Sequence, residues 1–141
     1  MTVLLLRHAT AGKSTSAPDD HLRPLDERGW EQAEKLVETL APYGVQRILT
    51  SPYVRCRQTV EPLARALGRP IEERPELAEG STAEDALRLV GSLDGETAVL
   101  CTHGDVVYEL LDEESKKGST WMLEVAPDGG LARREYLPPP A

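Results

Sequence analysis

The run VLLL at residues 3–6 offers no polar position on either side of a strand, and it leads straight into Arg7 and His8. Successive strand side chains point to opposite faces, so four apolar residues in a row describe a strand covered on both sides. Strands of that kind belong to parallel sheets packed between helices. The segment TAVLCT at 97–102 reads as another buried strand, and VQRILT at 45–50 as a short one.

Helical patterns fill the intervals. Residues 27–40 carry Ala33, Leu36, Val37 and Leu40 at helical spacing behind Asp26 as N-cap, and PYG at 42–44 ends the helix. The next segment, SPYVRCRQTVEPLARALG, places Ser51 as cap, Pro52 at the first helical position and Gly68 at the end. Pro62 predicts a kink or break near residue 61. A weak strand at 70–74 follows, then a helix capped by Ser81 or Thr82 and reaching about residue 90. His103–Gly104 opens a helix to about residue 111. The last quarter, STWMLEVAPDGGLARREYL, reads as a hairpin around an Asp-Gly turn, with PPPA at 138–141 as a Pro-rich tail. Strand and helix alternate four times, without repeat or linker. The expectation is one α/β domain over residues 1–141, a three-layer α/β/α sandwich with a mainly parallel sheet and a C-terminal hairpin.

Composition narrows the function classes. The 141 residues contain no Phe and two Trp, so the core is aliphatic. A net charge of −8 repels polyanions and argues against nucleic acid as a partner. Cys56 and Cys101 have no metal-ligand spacing around them and read as thiols in a reducing compartment. The apolar start is too short for a signal peptide, and no stretch is long enough for a membrane span. The expected location is cytoplasmic, without membrane association; nothing in the sequence specifies an oligomeric state.

In layered α/β folds ligands bind beyond the carboxyl ends of the strands. Arg7–His8, the Ser51–Arg55 segment and His103–Gly104 all follow strand ends and should therefore converge. Two arginines and two histidines around one point suit a dianionic tetrahedral group. The guanidinium fork matches phosphate oxygens in pairs, and Arg55 in the first turn of a helix adds backbone N–H groups. An imidazole with one nitrogen facing phosphorus and the other donating to an oxygen can act as nucleophile. A second, as imidazolium, can stabilise charge on the equatorial oxygens.

The motifs LLLRHATAG, RPLDERGWEQA, SPYVRCRQT and VLCTHGDVV, in that order over residues 2 to about 112, resemble the histidine phosphatase superfamily, with the phosphoglycerate mutase-like fold. The resemblance implies a phosphorylated nucleophile at His8 and phosphate binding by Arg7, Arg55, His103 and the Gly104 N–H. It further implies a proton donor at Glu79, within Leu77-Ala78-Glu79, with Glu76 as the fallback. No cofactor and no metal are implied. Ala9 replaces the signature glycine, a change that matters only where positive φ is needed. Lys13 stands near the place of an absent Asn.

Fewer than twenty residues separate the second helix from the third, too few for a large lid. Size, the RPLDERG segment and the uncapped cleft resemble SixA-type protein-phosphohistidine phosphatases. VRCRQTVEPLA and KKGSTWMLEV also resemble the histidine phosphatase domain appended to some actinobacterial MutT-type Nudix hydrolases, although no Nudix box is present. The expected substrate is a phosphorylated protein or a small phosphate ester, a nucleotide included. A phosphate-binding module without turnover is the rival class. His21 and Asp105 read as structural or exposed, Cys101 as a buried strand residue, Lys116–Lys117 as solvated surface and Trp121 as packing.

Overall fold

The structure, a computed structural model, describes residues 1–12 and 19–141; Lys13 lies outside them. Six strands form one sheet: β1 (Thr2–Arg7), β2 (Arg47–Thr50), β3 (Ile71–Glu73), β4 (Ala98–Thr102), β5 (Thr120–Val125) and β6 (Leu131–Leu137). The order is β3-β2-β4-β1-β5-β6; the first four are mutually parallel, and β5 and β6 run antiparallel as the hairpin. Four helices flank the sheet: α1 (Glu27–Leu40), α2 (Val54–Leu67), α3 (Ala83–Gly91) and α4 (Gly104–Leu111).

The alternation in β1 divides the core. Val3 and Leu5 pack with Leu89, Val90, Val107 and Leu111 of α3 and α4. Leu4 and Leu6 pack with Leu36, Leu40, Val60 and Leu63 of α1 and α2. All four β1 residues are essentially inaccessible, which is why the run contains no polar residue. The expected α/β/α layering and hairpin are both present.

Two local expectations differ from what is found. The second helix starts at Val54 with Tyr53 as N-cap, so Ser51 does not cap it and Pro52 is not its first residue. The Ser51 N–H is held by the Cys101 carbonyl at 2.9 Å and its hydroxyl is drawn to His103, so the residue belongs to the sheet edge. Of the kink or break expected at Pro62, the break is absent: Pro62 lies within α2, which continues to Leu67. Pro62 is buried, and one surface hollow it lines is shared with Glu34 and Val37 of α1; packing there outweighs the lost backbone hydrogen bond. Thr82, not Ser81, caps α3, in a reciprocal capping box with Asp85.

Chain direction places the crevice. From β1 the chain leaves to α1 on one face; from β4, its neighbour, it leaves to α4 on the other. The parallel register pairs Arg7 with Thr102, so the next residues, His8 and His103, emerge side by side. Adjacent strands whose connections diverge open a cleft between their carboxyl ends.

Candidate active site

A cleft of about 900 Å³ opens at that point, lined among others by Arg7, His8, Arg55, Glu79, His103 and Gly104. The structure thus brings together all six residues assigned from the sequence. Glu76, the alternative to Glu79, does not line it.

His8 is buried, and its Nδ1 lies 2.8 Å from the Ala9 carbonyl oxygen. A carbonyl only accepts, so Nδ1 carries the proton and Nε2 presents its lone pair. Burial lowers the His8 pKa to about 3; the Ala9 carbonyl opposes this, and the charges of His103, Arg55 and Arg7 add to it. The ring is therefore neutral at physiological pH, the form in which a nitrogen is nucleophilic. Ala9 is not among the positive-φ residues, so the alanine in place of glycine introduces no backbone strain. Its N–H donates to Thr59 Oγ1 at 3.0 Å.

The two rings stand 5.5 Å apart between centroids, at 67°. The Ser51 hydroxyl accepts the Tyr53 N–H at 3.2 Å and lies 2.8 Å from His103 Nε2. His103 Nδ1 is buried and has no partner among the described residues. Cys56 Sγ is 3.5 Å from the same Nε2. Burial raises the Cys56 thiol, but hydrogen bonding to Cys101, His103 and Ser51 outweighs it and brings the pKa down to about 6. Both cysteines are free and buried.

Arg55 is 2% exposed and lies in the first turn of α2. Its Nη1 donates to the Asp20 carbonyl at 3.1 Å, and its Nη2 is 3.5 Å from Asp20 Oδ2 and 3.4 Å from Glu79 Oε2. The guanidinium lies 4.9 Å from the Tyr53 ring centre. Arg7 donates through Nη1 to the Ser115 carbonyl. Burial lowers the Arg7 pKa from its ordinary value while Asp105 and Glu114 oppose the shift; an arginine nevertheless stays charged at neutral pH. Gly104 explains the close passage: a Cβ there would lie 2.8 Å from Arg7 Cζ. The Glu79 side chain is half exposed.

Several positioning contacts were not assigned from the sequence. Asp26, read only as a helix cap, also accepts the Thr10 hydroxyl at 2.7 Å. A Cβ at Gly29 would lie 1.9 Å from the Thr10 carbonyl oxygen, and Gln32 Oε1 accepts the Thr10 N–H. The RPLDERGWEQA motif therefore holds the loop after His8 to the start of α1; its Gly and Gln were the available signal. Gly118 donates to the carbonyls of Arg7 and His8 at 3.1 and 2.9 Å, fixing the 115–119 segment beside the cleft. Asp105 and Lys117, though exposed, line it too; Asp105 Oδ2 also accepts the Gly80 N–H at 2.8 Å. Among the described residues no three His, Cys, Asp or Glu side chains are grouped to hold a metal ion, and no helix is long and apolar enough to cross a membrane.

Fold and cleft together define an α/β protein with a cleft at its switch point, lined by a neutral histidine and two arginines. The chain belongs to the histidine phosphatase superfamily (branch 1), whose family model matches residues 3–86. That match takes in His8, Arg7, Arg55 and Glu79; His103 and Gly104 lie beyond it. A curated relative, the 8-oxo-(d)GTP phosphatase of Mycolicibacterium smegmatis, is 40% identical over 99% of this chain, which spans 48% of the relative's length. Among solved structures, the protein histidine phosphatase SixA complexed with tungstate superposes with a TM-score of 0.83 at 22% identity, covering 99% of this chain and 97% of that one. A SixA structure from Agrobacterium tumefaciens gives 0.78 at 26%, covering 99% and 98%.

Proposed function

We propose that the chain hydrolyses a phosphomonoester or phosphoramidate through a covalent phosphohistidine on His8. The observation that carries this reading is the Nδ1–H donation to the Ala9 carbonyl, which leaves Nε2 unprotonated in a cleft flanked by Arg7 and Arg55. In the first step Nε2 attacks phosphorus and the bond to the leaving oxygen or nitrogen breaks. Phosphate oxygens take over Arg55, displacing the 3.4 Å contact of Glu79, which protonates the leaving atom. In the second step water attacks the phosphorus, Glu79 takes a water proton, and the P–N bond breaks to release inorganic phosphate and the neutral imidazole. Arg7, Arg55, His103 and the Gly104 N–H hold the equatorial oxygens.

For the substrate, identity favours a nucleotide phosphate: the 8-oxo-(d)GTP phosphatase shares 40% of its residues over nearly the whole chain. A phosphohistidine protein is the second reading, favoured by the open cleft and by the 26% identity to a SixA structure. A panel of nucleotides, sugar phosphates and a phosphorylated phosphotransfer protein separates them. The expected result is kcat/KM highest for a nucleotide, and a preference for the phosphoprotein would reverse the order of the two readings.

Two further outcomes follow from the geometry. Gly104→Ala pushes the Arg7 guanidinium away from its Ser115 anchor without disturbing the core, so kcat/KM should fall about tenfold to a hundredfold with little change in melting temperature. Acid should also destabilise the fold through His8. Its folded pKa of about 3 lies below the unfolded value near 6.5, so the unfolded chain binds the proton more readily. Its contribution is complete above about pH 6.5 and is lost as pH falls through the folded value, on the order of 5 kcal/mol in all. Denaturant midpoints of wild type and His8→Asn from pH 7 to pH 4 test this; the two slopes should differ.

A further inference from the structure

A second cavity, of about 410 Å³, adjoins the cleft, and Glu114 and Ser115 line both. Its other walls are Glu113, Lys116, Trp121 and Tyr136. The chain has no Phe, two Trp and four Tyr, yet a Trp and a Tyr are paired here with ring centres 4.8 Å apart. The pair is built into the sheet, because Trp121 and Tyr136 are direct cross-strand neighbours of β5 and β6. Arg133, which does not line the cavity, lies 5.9 Å over the Trp121 ring, donates to the Leu111 carbonyl and holds Glu113 at 3.2 Å. One wall is thus braced from behind before any ligand arrives.

The polar groups of this cavity are less satisfied than its apolar ones. The Trp121 indole nitrogen and the Ser115 hydroxyl are buried without partners among the described residues, an arrangement that is costly unless something polar completes it. Glu113 is engaged by Arg133. Glu114 forms no hydrogen bond or ion pair among the described residues, although it borders both spaces. An ionised carboxylate can only accept. Flat aromatic walls with a free acceptor at the rim suit a planar heterocycle that carries adjacent N–H donors.

We propose that this cavity receives the base of a nucleotide whose phosphate lies against His8, and that Glu114 selects a guanine-type base by accepting its ring and amino N–H groups. Adenine presents an unprotonated ring nitrogen at the corresponding edge and would face the carboxylate with a lone pair. The inference rests on the nucleotide reading above and names a subsite for it. The 115–119 segment, tied to the Arg7 and His8 carbonyls through Gly118, fixes the two spaces relative to each other.

Two measurements test it. In kinetics with GMP, AMP and p-nitrophenyl phosphate, the wild type should prefer GMP, and Glu114→Gln should lower the GMP-to-p-nitrophenyl phosphate ratio of kcat/KM at least tenfold, mainly through KM. In binding, guanosine, which has no phosphate, should quench Trp121 fluorescence in a Trp30→Phe background, and adenosine should do so more weakly. A wild-type preference for GMP that Glu114→Gln and Trp121→Leu leave unchanged would overturn the base subsite and leave the nucleotide reading standing. A wild type that favours no nucleotide would overturn the nucleotide reading. Absence of guanosine quenching would overturn the subsite whatever the kinetics show.

Discussion

Replacing His8 by alanine should abolish turnover of p-nitrophenyl phosphate, lowering kcat by about 10⁴-fold or more, with the fold intact. The size of the effect follows from the role: without Nε2 there is no covalent intermediate, and direct attack by water must cross a single higher barrier. Arg7, Arg55 and His103 remain in place and continue to bind phosphate. The variant should therefore still be titrated by inorganic phosphate with a Kd near that of the wild type. Its near-ultraviolet circular dichroism should also be unchanged, since His8 occupies the end of β1 and its backbone N–H is held by the Thr102 carbonyl whatever the side chain. A wild type as inert as His8→Ala, with both proteins still binding phosphate, would leave phosphate binding without turnover as the function of the cleft.

Arg55→Ala should be the next most damaging change, at about 10²- to 10³-fold in kcat/KM. Arg55 is 2% exposed and braced by the Asp20 carbonyl and the Tyr53 ring, so its guanidinium presents oxygen-binding donors without reorganisation. Its removal also leaves Asp20 and Glu79 facing the phosphate with no cation between them. Arg55→Lys should recover little of the loss, because an ammonium cannot reproduce the fork that contacts two oxygens at once. The comparison of Ala and Lys variants on the same substrate checks this. A fully active Lys variant would mean that only charge matters at this position.

The parts of the site that lie at strand ends were legible because buried strands announce themselves. VLLL ends at Arg7–His8, and TAVLCT ends at His103, so two of the functional side chains are fixed by their place after an apolar run. That their rings meet depends on the β1–β4 pairing between segments about 95 residues apart, which the order of motifs implied only through resemblance. Contacts of that kind explain the misreadings. Ser51-Pro52 carries a strong local helix-start signal, but a hydrogen bond to His103 across 52 residues competes with it, and the helix begins later. Pro62 carries a helix-breaking signal that burial overrides. Gly29 lies within the RPLDERGWEQA motif, and only the approach of the Thr10 carbonyl shows what its missing Cβ allows. Cys56 gave no local sign of standing beside His103, which α2 brings about, and Trp121 none of lining the second cavity, which the β5–β6 pairing with Tyr136 brings about.

The most direct test of the account is to trap the enzyme during turnover. Wild type mixed with ³²P-labelled substrate, quenched in alkali within milliseconds and digested, should yield label on the peptide containing His8. That label should be stable in alkali, lost in mild acid, and present at no more than one phosphate per chain. Label that survives acid, label on another residue, or turnover with no protein-bound phosphate at any time would contradict it.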